Sequence, residues 1–189
     1  MTHDVALDKR VFIERPLTLD LNGRTISLFG YAYLSVYLTD SVTVKNGIIK
    51  ANGTSFAISA DYSTNLHFEN LEILGGDGLA NFGMFFADTT AVITNCKIEA
   101  ETPLSLSAMD YRYPSEITAS NVCLNGDRWT YMVTNHIYPD DFYPWPIYCI
   151  FTLDGNIISQ EGSDSMILSS SNTYTSGYSD AWKQSYNGG

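Results

Sequence analysis

Short runs of alternating apolar and polar residues recur along this chain. Five of them line up on a shared break: VTVKNGII (42–49), LHFENLEI (66–73), VITNCKI (92–98), ITASNVCL (117–124) and FTLDGNII (151–158). Asn46, Asn70, Asn95, Asn121 and Gly155 form the reference column. Four residues earlier stand Val42, Leu66, Ala91, Ile117 and Phe151; two earlier stand Val44, Phe68, Ile93, Ala119 and Leu153. Three residues later stand Ile49, Ile73, Ile98, Leu124 and Ile158. A period of two predicts strands with one buried face. The break predicts a corner, because Asn tolerates the left-handed conformation. Stacked one above another, Asn46, Asn70, Asn95 and Asn121 are expected to form a structural ladder of amide hydrogen bonds.

The corner recurs at spacings of 24 (46 to 70), 25 (70 to 95), 26 (95 to 121) and 34 (121 to 155). Repeats of this length built from short strands predict a solenoid, since each unit buries its apolar face only by stacking on its neighbours. A second row of strands lies between the first: LSVYLTD (34–40), FAISAD (56–61), MFFAD (84–88) and LSLSAMD (104–110). Each ends in an acid, so Asp40, Asp61, Asp88 and Asp110 are read as a second column. Asp at a strand end is first a turn former; a row of metal-binding or catalytic carboxylates is the alternative. The segment LTLDLNGRTI (17–26) reads as an irregular first coil, with Leu17, Leu19 and Leu21 one residue out of phase relative to Asn22. Helical periodicity with caps is nearly absent. The expected fold is all-β: a right-handed parallel β-helix of about six coils over residues 1–168, with residues 1–10 as an N-terminal cap. Residues 127–146 form an aromatic loop insertion, and residues 169–189 a polar C-terminal tail or second cap.

Composition narrows the surroundings. Only 16% of the residues are charged, so the surface is largely uncharged polar. The net charge of −11 and the lack of a basic stripe argue against nucleic-acid binding. No apolar run reaches membrane-spanning length, so no membrane insertion is expected. The start, Met1-Thr2-His3-Asp4, has neither the basic nor the apolar part of a signal peptide, which fits either a sequence that begins after one or export by another route, such as release of a virion by lysis. Three cysteines cannot all pair; Cys96 and Cys149 fall on inward positions and Cys123 on an outward one.

The phrases LDLNGRTI, VTVKNGIIKANG and LHFENLEI resemble the pectate-lyase-like superfamily of right-handed parallel β-helices. The resemblance spans about residues 11–160 and implies architecture more than chemistry, because coil geometry itself demands such phrases. The superfamily holds polysaccharide lyases, glycoside hydrolases, adhesins and phage appendages. Its polygalacturonase-type members carry an Asn-Thr-Asp, Asp-Asp, Gly-His-Gly and Arg-Ile-Lys series; here only Asp140-Asp141 matches, inside the insertion. Six of the ten Lys and Arg precede residue 60, which leaves few bases for a lyase. An adhesin or phage appendage is the closer likeness.

Candidate chemistry centres on the insertion. Trp129, Tyr131, Tyr138, Tyr143 and Trp145 are the expected glycan-binding residues, since aromatic faces stack on sugar rings and long loops on rigid scaffolds carry function. Were the chain an enzyme, paired carboxylates would do the work, drawn from Asp88, Asp110, Asp140 and Asp141 with Arg112 as a base. His3, His67 and His136 lack a ligand spacing. No metal site and no cofactor are expected, calcium on the Asp row being the one open alternative. The expected function is therefore a non-catalytic extracellular or virion-surface module that displays or binds a surface glycan or polysaccharide. It is expected to be a homo-oligomer, such as a trimer, or to assemble with other structural chains. The alternatives are a polysaccharide lyase or glycoside hydrolase, and a purely structural assembly protein.

Overall fold

The computed structural model describes residues 1–75, 82–108, 115–126, 131–135, 149–159 and 167–170. Strands follow one another in chain order: β1 (Val5–Leu7), β2 (Val11–Ile13), β3 (Leu17–Asp20), β4 (Thr25–Phe29), β5 (Leu34–Tyr37), β6 (Val42–Asn52), β7 (Phe56–Asp61) and β8 (Leu66–Gly75). Then come β9 (Phe82–Ala87), β10 (Thr90–Thr94), β11 (Lys97–Ala100), β12 (Thr102–Ala108), β13 (Ser115–Gly126), β14 (Tyr131–Asn135), β15 (Cys149–Ser159) and β16 (Ile167–Ser170). They form two sheets in which every pairing is parallel. Sheet 1 contains β1, β3, β4, β6, β8, β10, β11, β13 and β15; sheet 2 runs β2-β5-β7-β9-β12-β14-β16. Apart from β3–β4 and β10–β11, which flank a corner within sheet 1, successive strands alternate between the sheets, so the chain winds as a parallel β-solenoid. Four successive turns are fixed by the register Leu17↔Val42, Val44↔Phe68, Phe68↔Ile93 and Ile93↔Ala119.

The core is the set of inward side chains from both sheets. Sheet 1 contributes Val42, Val44 and Ile49, then Leu66, Phe68 and Ile73, then Ile93 and Ile98, and sheet 2 contributes Leu34, Val36, Ile58, Met84, Phe86, Leu104 and Leu106. Identical positions stack at the strand spacing of about 4.8 Å, so one choice of apolar residue per column, repeated, fills the interior. Asn22, Asn46, Asn70, Asn95 and Asn121 all have positive φ, between 51° and 58°. Gly155 takes the place of Asn in the last described corner, at φ 70°.

Two register expectations change, and that for the first coil holds: Leu17 pairs with Val42 and Leu19 with Val44, so Asn22 stands one residue past the place of Asn46. What differs is the corner: pairing resumes at Thr25↔Ile48 after Asp20↔Lys45, so the first coil holds two more residues there. In β15, Ser159 rather than Ile158 stands opposite Leu124, and Ile158 pairs with the outward Cys123. A single extra residue at that corner, a bulge, moves the pairing by one. The acids do not form a column either. Asp61 pairs with Tyr37 and Ala87 on sheet 2, and Asp40 bridges to Thr64. Asp88 shares a left-handed corner with Leu38 and Tyr62, whose φ values are 47° and 51°. The strands of sheet 2 end at different places, so the acids that close them fall at three different registers.

The first residues lie along one end. β1 pairs with β4, the Met1 ammonium donates to the Asp20 carbonyl, and the Asp4 carboxylate accepts from the Thr25 amide at 2.9 Å. A solenoid end otherwise presents unpaired backbone, and these contacts cover part of it.

Candidate functional site

Most of the residues expected to carry chemistry lie outside the described residues: Asp110, Arg112, Trp129, Tyr138, Asp140, Asp141, Tyr143 and Trp145. Two can be placed, and both are buried. Tyr131 is 7% exposed and packs edge-on against Phe151, with ring centroids 5.0 Å apart. It stands in the inward column through its pairing with Leu104, so its ring is core and is not a platform for a sugar. Asp88 is fully buried in its corner, where its amide donates to the Ser107 carbonyl at 3.0 Å. A carboxylate sealed there cannot meet a polymeric substrate. Among the described residues no group of three or more His, Cys, Asp or Glu could hold a metal ion. Of the four ladder residues, Asn46 and Asn70 meet: Asn70 donates to Asn46 Oδ1 at 3.1 Å, and Asn46 in turn to Asp20 at 3.2 Å.

The outer face of sheet 2 brings together a different set. An aromatic column crosses the starts of β2, β5, β7 and β9. The Arg10 guanidinium lies 4.2 Å from the centre of the Tyr33 ring and 5.4 Å from that of Phe12. Tyr33 meets Phe56 edge-on at 5.4 Å, Phe56 stacks on Phe82 at 5.6 Å, and Phe85 leans on Phe56 at 5.3 Å. Cross-strand aromatic pairs of this kind stabilise a sheet. The faces of Phe56 and Phe82 are turned to each other and Arg10 covers Tyr33, so the column is first a structural ladder.

Beside it, small residues alternate with large ones. Tyr33, Ser35 and Tyr37 occupy successive outward positions at β5, and Ser59 and Asp61 face out from β7. The register Ser35↔Ser59 and Tyr37↔Asp61 sets them side by side on adjacent strands. Ser35 and Ser59 are buried beneath their larger neighbours, whereas Tyr37 is 36% exposed and Phe12 52%. The Ser59 hydroxyl donates to Asp61 Oδ2 at 2.9 Å; the second carboxylate oxygen accepts no hydrogen bond among the described residues. Burial raises the Asp61 carboxyl above its ordinary range and the buried Asp88 adds to the rise, against the Ser59 hydrogen bond and the Arg10 charge. Tyr62, at the corner after β7, meets the Tyr37 ring edge-on at 6.3 Å. The arrangement offers an open aromatic ring, a half-buried hydrogen-bond acceptor and a floor of small side chains.

Sequence reasoning did not find this set. Its members come from four segments, residues 10–12, 33–37, 56–62 and 82–85, which only the lateral register joins. The one signal was the alternation Tyr33-x-Ser35-x-Tyr37 on a strand whose intervening residues are apolar.

Compared with protein-family models, with curated proteins and with solved structures, the chain matches none. The class is therefore defined by the fold alone: an all-β parallel β-solenoid of two sheets with an outward aromatic cluster.

Proposed function

We propose that this chain is a non-catalytic, surface-displayed solenoid module that binds glycan on the outer face of sheet 2. The carrying observation is the pair Tyr37 and Asp61, side by side on adjacent strands, the ring exposed and one carboxylate oxygen accepting no hydrogen bond among the described residues. Sugars present hydroxyl donors around their rims and apolar C–H faces, which a carboxylate and an aromatic ring respectively accept. Ligand sites need a few fixed polar groups on a rigid base, and the paired strands of the solenoid hold these within a backbone-bonded frame.

The finer architecture belongs to the same proposal. The solenoid is right-handed, as crossover connections between parallel strands of one sheet almost always are. It has six coils, the last built by β15 on β13. It is of the pectate-lyase-like type by its Asn-Gly corner phrases. The uncharged polar surface and the −11 charge support an extracellular or virion-surface setting. The chain acts as a homo-oligomer, a trimer being the arrangement such modules commonly take, or beside other structural chains.

The test is a polysaccharide panel on the purified protein, read for binding and for new chain ends. Binding that Tyr37→Ala weakens, with no new ends, is the expected result. New chain ends would overturn the non-catalytic reading, and absence of binding to any member would overturn the glycan reading.

A further inference from the structure

We infer that the glycan accepted at this site is an uncharged one, a neutral hexose chain and not a uronic-acid or sulfated polymer. The inference rests on the glycan reading above and concerns the same residues. The charged group at the centre of the face, Asp61, is an acceptor only. One Asp61 oxygen accepts no hydrogen bond among the described residues, and the Ser59 hydroxyl already donates its hydrogen bond to the other. A neutral sugar supplies the missing donors from its hydroxyls. A sugar carboxylate or sulfate supplies none and needs donors in return.

The cation nearby does not change this. Arg10 faces the Tyr33 and Phe12 rings at 4.2 and 5.4 Å, a cation–π arrangement that an incoming anion would have to disturb. Asp88, fully buried, acts on Asp61 in the repulsive sense, less strongly than Arg10 acts in the attractive one. An anionic ligand would set a second negative charge beside the Asp61 carboxylate, which is already partly shielded from water, where like charges repel most strongly. The chain's net charge of −11 acts in the same direction at longer range.

The experiment uses matched pairs: short linear oligosaccharides of glucose, galactose and mannose, each beside the same chain oxidised at C6 to the uronate. Affinities are measured by titration calorimetry at low and at physiological salt. At least one neutral chain should bind about tenfold or more tighter than its uronate at low salt, the gap narrowing as salt rises. In Asp61→Asn, whose side-chain oxygen can still accept from Ser59, neutral binding should weaken and the gap should close. A uronate that binds as well as its neutral partner overturns the inference and leaves the glycan reading standing. A gap unchanged in Asp61→Asn overturns the role given to Asp61. If no chain of either kind binds, the glycan reading falls, and this inference falls with it. The wild-type comparison decides the charge preference even if the variant fails to fold.

Discussion

The Leu21 side chain occupies the space that a side chain on Gly47 would need. A Cβ at Gly47 would lie 2.4 Å from Leu21 Cβ and 2.6 Å from the Arg24 carbonyl oxygen. In the coils that follow, the residue after the corner Asn is buried and fills the interior itself: Leu71, Cys96 and Val122. In the second coil that residue is Gly47, and Leu21, fully buried, reaches in from the enlarged corner of the first coil. Leu21→Ala should cost about 2–5 kcal/mol by opening a cavity. Gly47→Ala should cost about 1–3 kcal/mol by overpacking. The double variant should lose only slightly less than the sum, because Ala at 21 removes the Cδ1 contact at 2.9 Å but keeps the closer Cβ, and the Arg24 carbonyl oxygen stays as well. Denaturant unfolding of the four proteins closes the cycle.

Asn46 is held at φ 58°, where a side chain with Cβ is strained and Asn suffers least. Its amide donates to Asp20 and its carbonyl accepts from Asn70. Asn46→Gly should therefore be milder than Asn46→Ala, which keeps the strain, about 1–2 kcal/mol, and loses both hydrogen bonds. The Asn22 amide and then the Asn46 side chain lower the Asp20 carboxyl below its ordinary value. A carboxyl lowered on folding adds stability above its unfolded value, and that stability is lost as pH falls through the folded value. Asp20→Asn should flatten this acid limb of the stability curve, read by thermal unfolding between neutral and acid pH. A limb of unchanged slope would remove Asp20 from the account.

The columns were legible in the sequence wherever a single residue type met a backbone demand. Asn at a left-handed corner is such a case, and so is the apolar alternation that fills the core. Asp was misleading because it closes a strand wherever that strand happens to stop. Asp40, Asp61 and Asp88 share a local role while sitting at three registers. Tyr131 looked like a loop aromatic because it lies next to a Tyr- and Trp-rich stretch, yet its alternation continues the column of Leu104. The Tyr37–Asp61 face was hidden for a different reason: neither residue is unusual in its own segment, and their meeting depends on a pairing 24 residues apart.

The thiols should divide by burial. Cys96 and Cys149 are buried, and loss of solvation pushes their thiols up to about 11 and about 12. The thiolate is the reactive form, so both should be inert at neutral pH. Cys123 is partly exposed on the outer face of sheet 1, opposite Lys97. A thiol-specific chromophore should titrate about one group in the native protein and all three after denaturation. Cys123→Ser should abolish the native signal; a second fast-reacting thiol would contradict the inward placement of Cys96 or Cys149.

Asp61 should show the opposite pH behaviour to Asp20. Burial, its largest influence, raises the carboxyl above the ordinary Asp value. Between the ordinary and the raised value the folded protein keeps a proton that the unfolded chain has released. This group's contribution to stability therefore falls as pH rises through that window. Glycan binding runs the other way, because the ionised carboxylate is the stronger acceptor for sugar hydroxyls. Across the same window affinity should rise with pH while Asp61 erodes stability. Asp61→Asn should remove both trends and leave the protein at least as stable near neutrality. Titration calorimetry and thermal unfolding over one pH series measure the two slopes together. If affinity and stability rose in parallel, the carboxylate would be serving the fold and not the ligand.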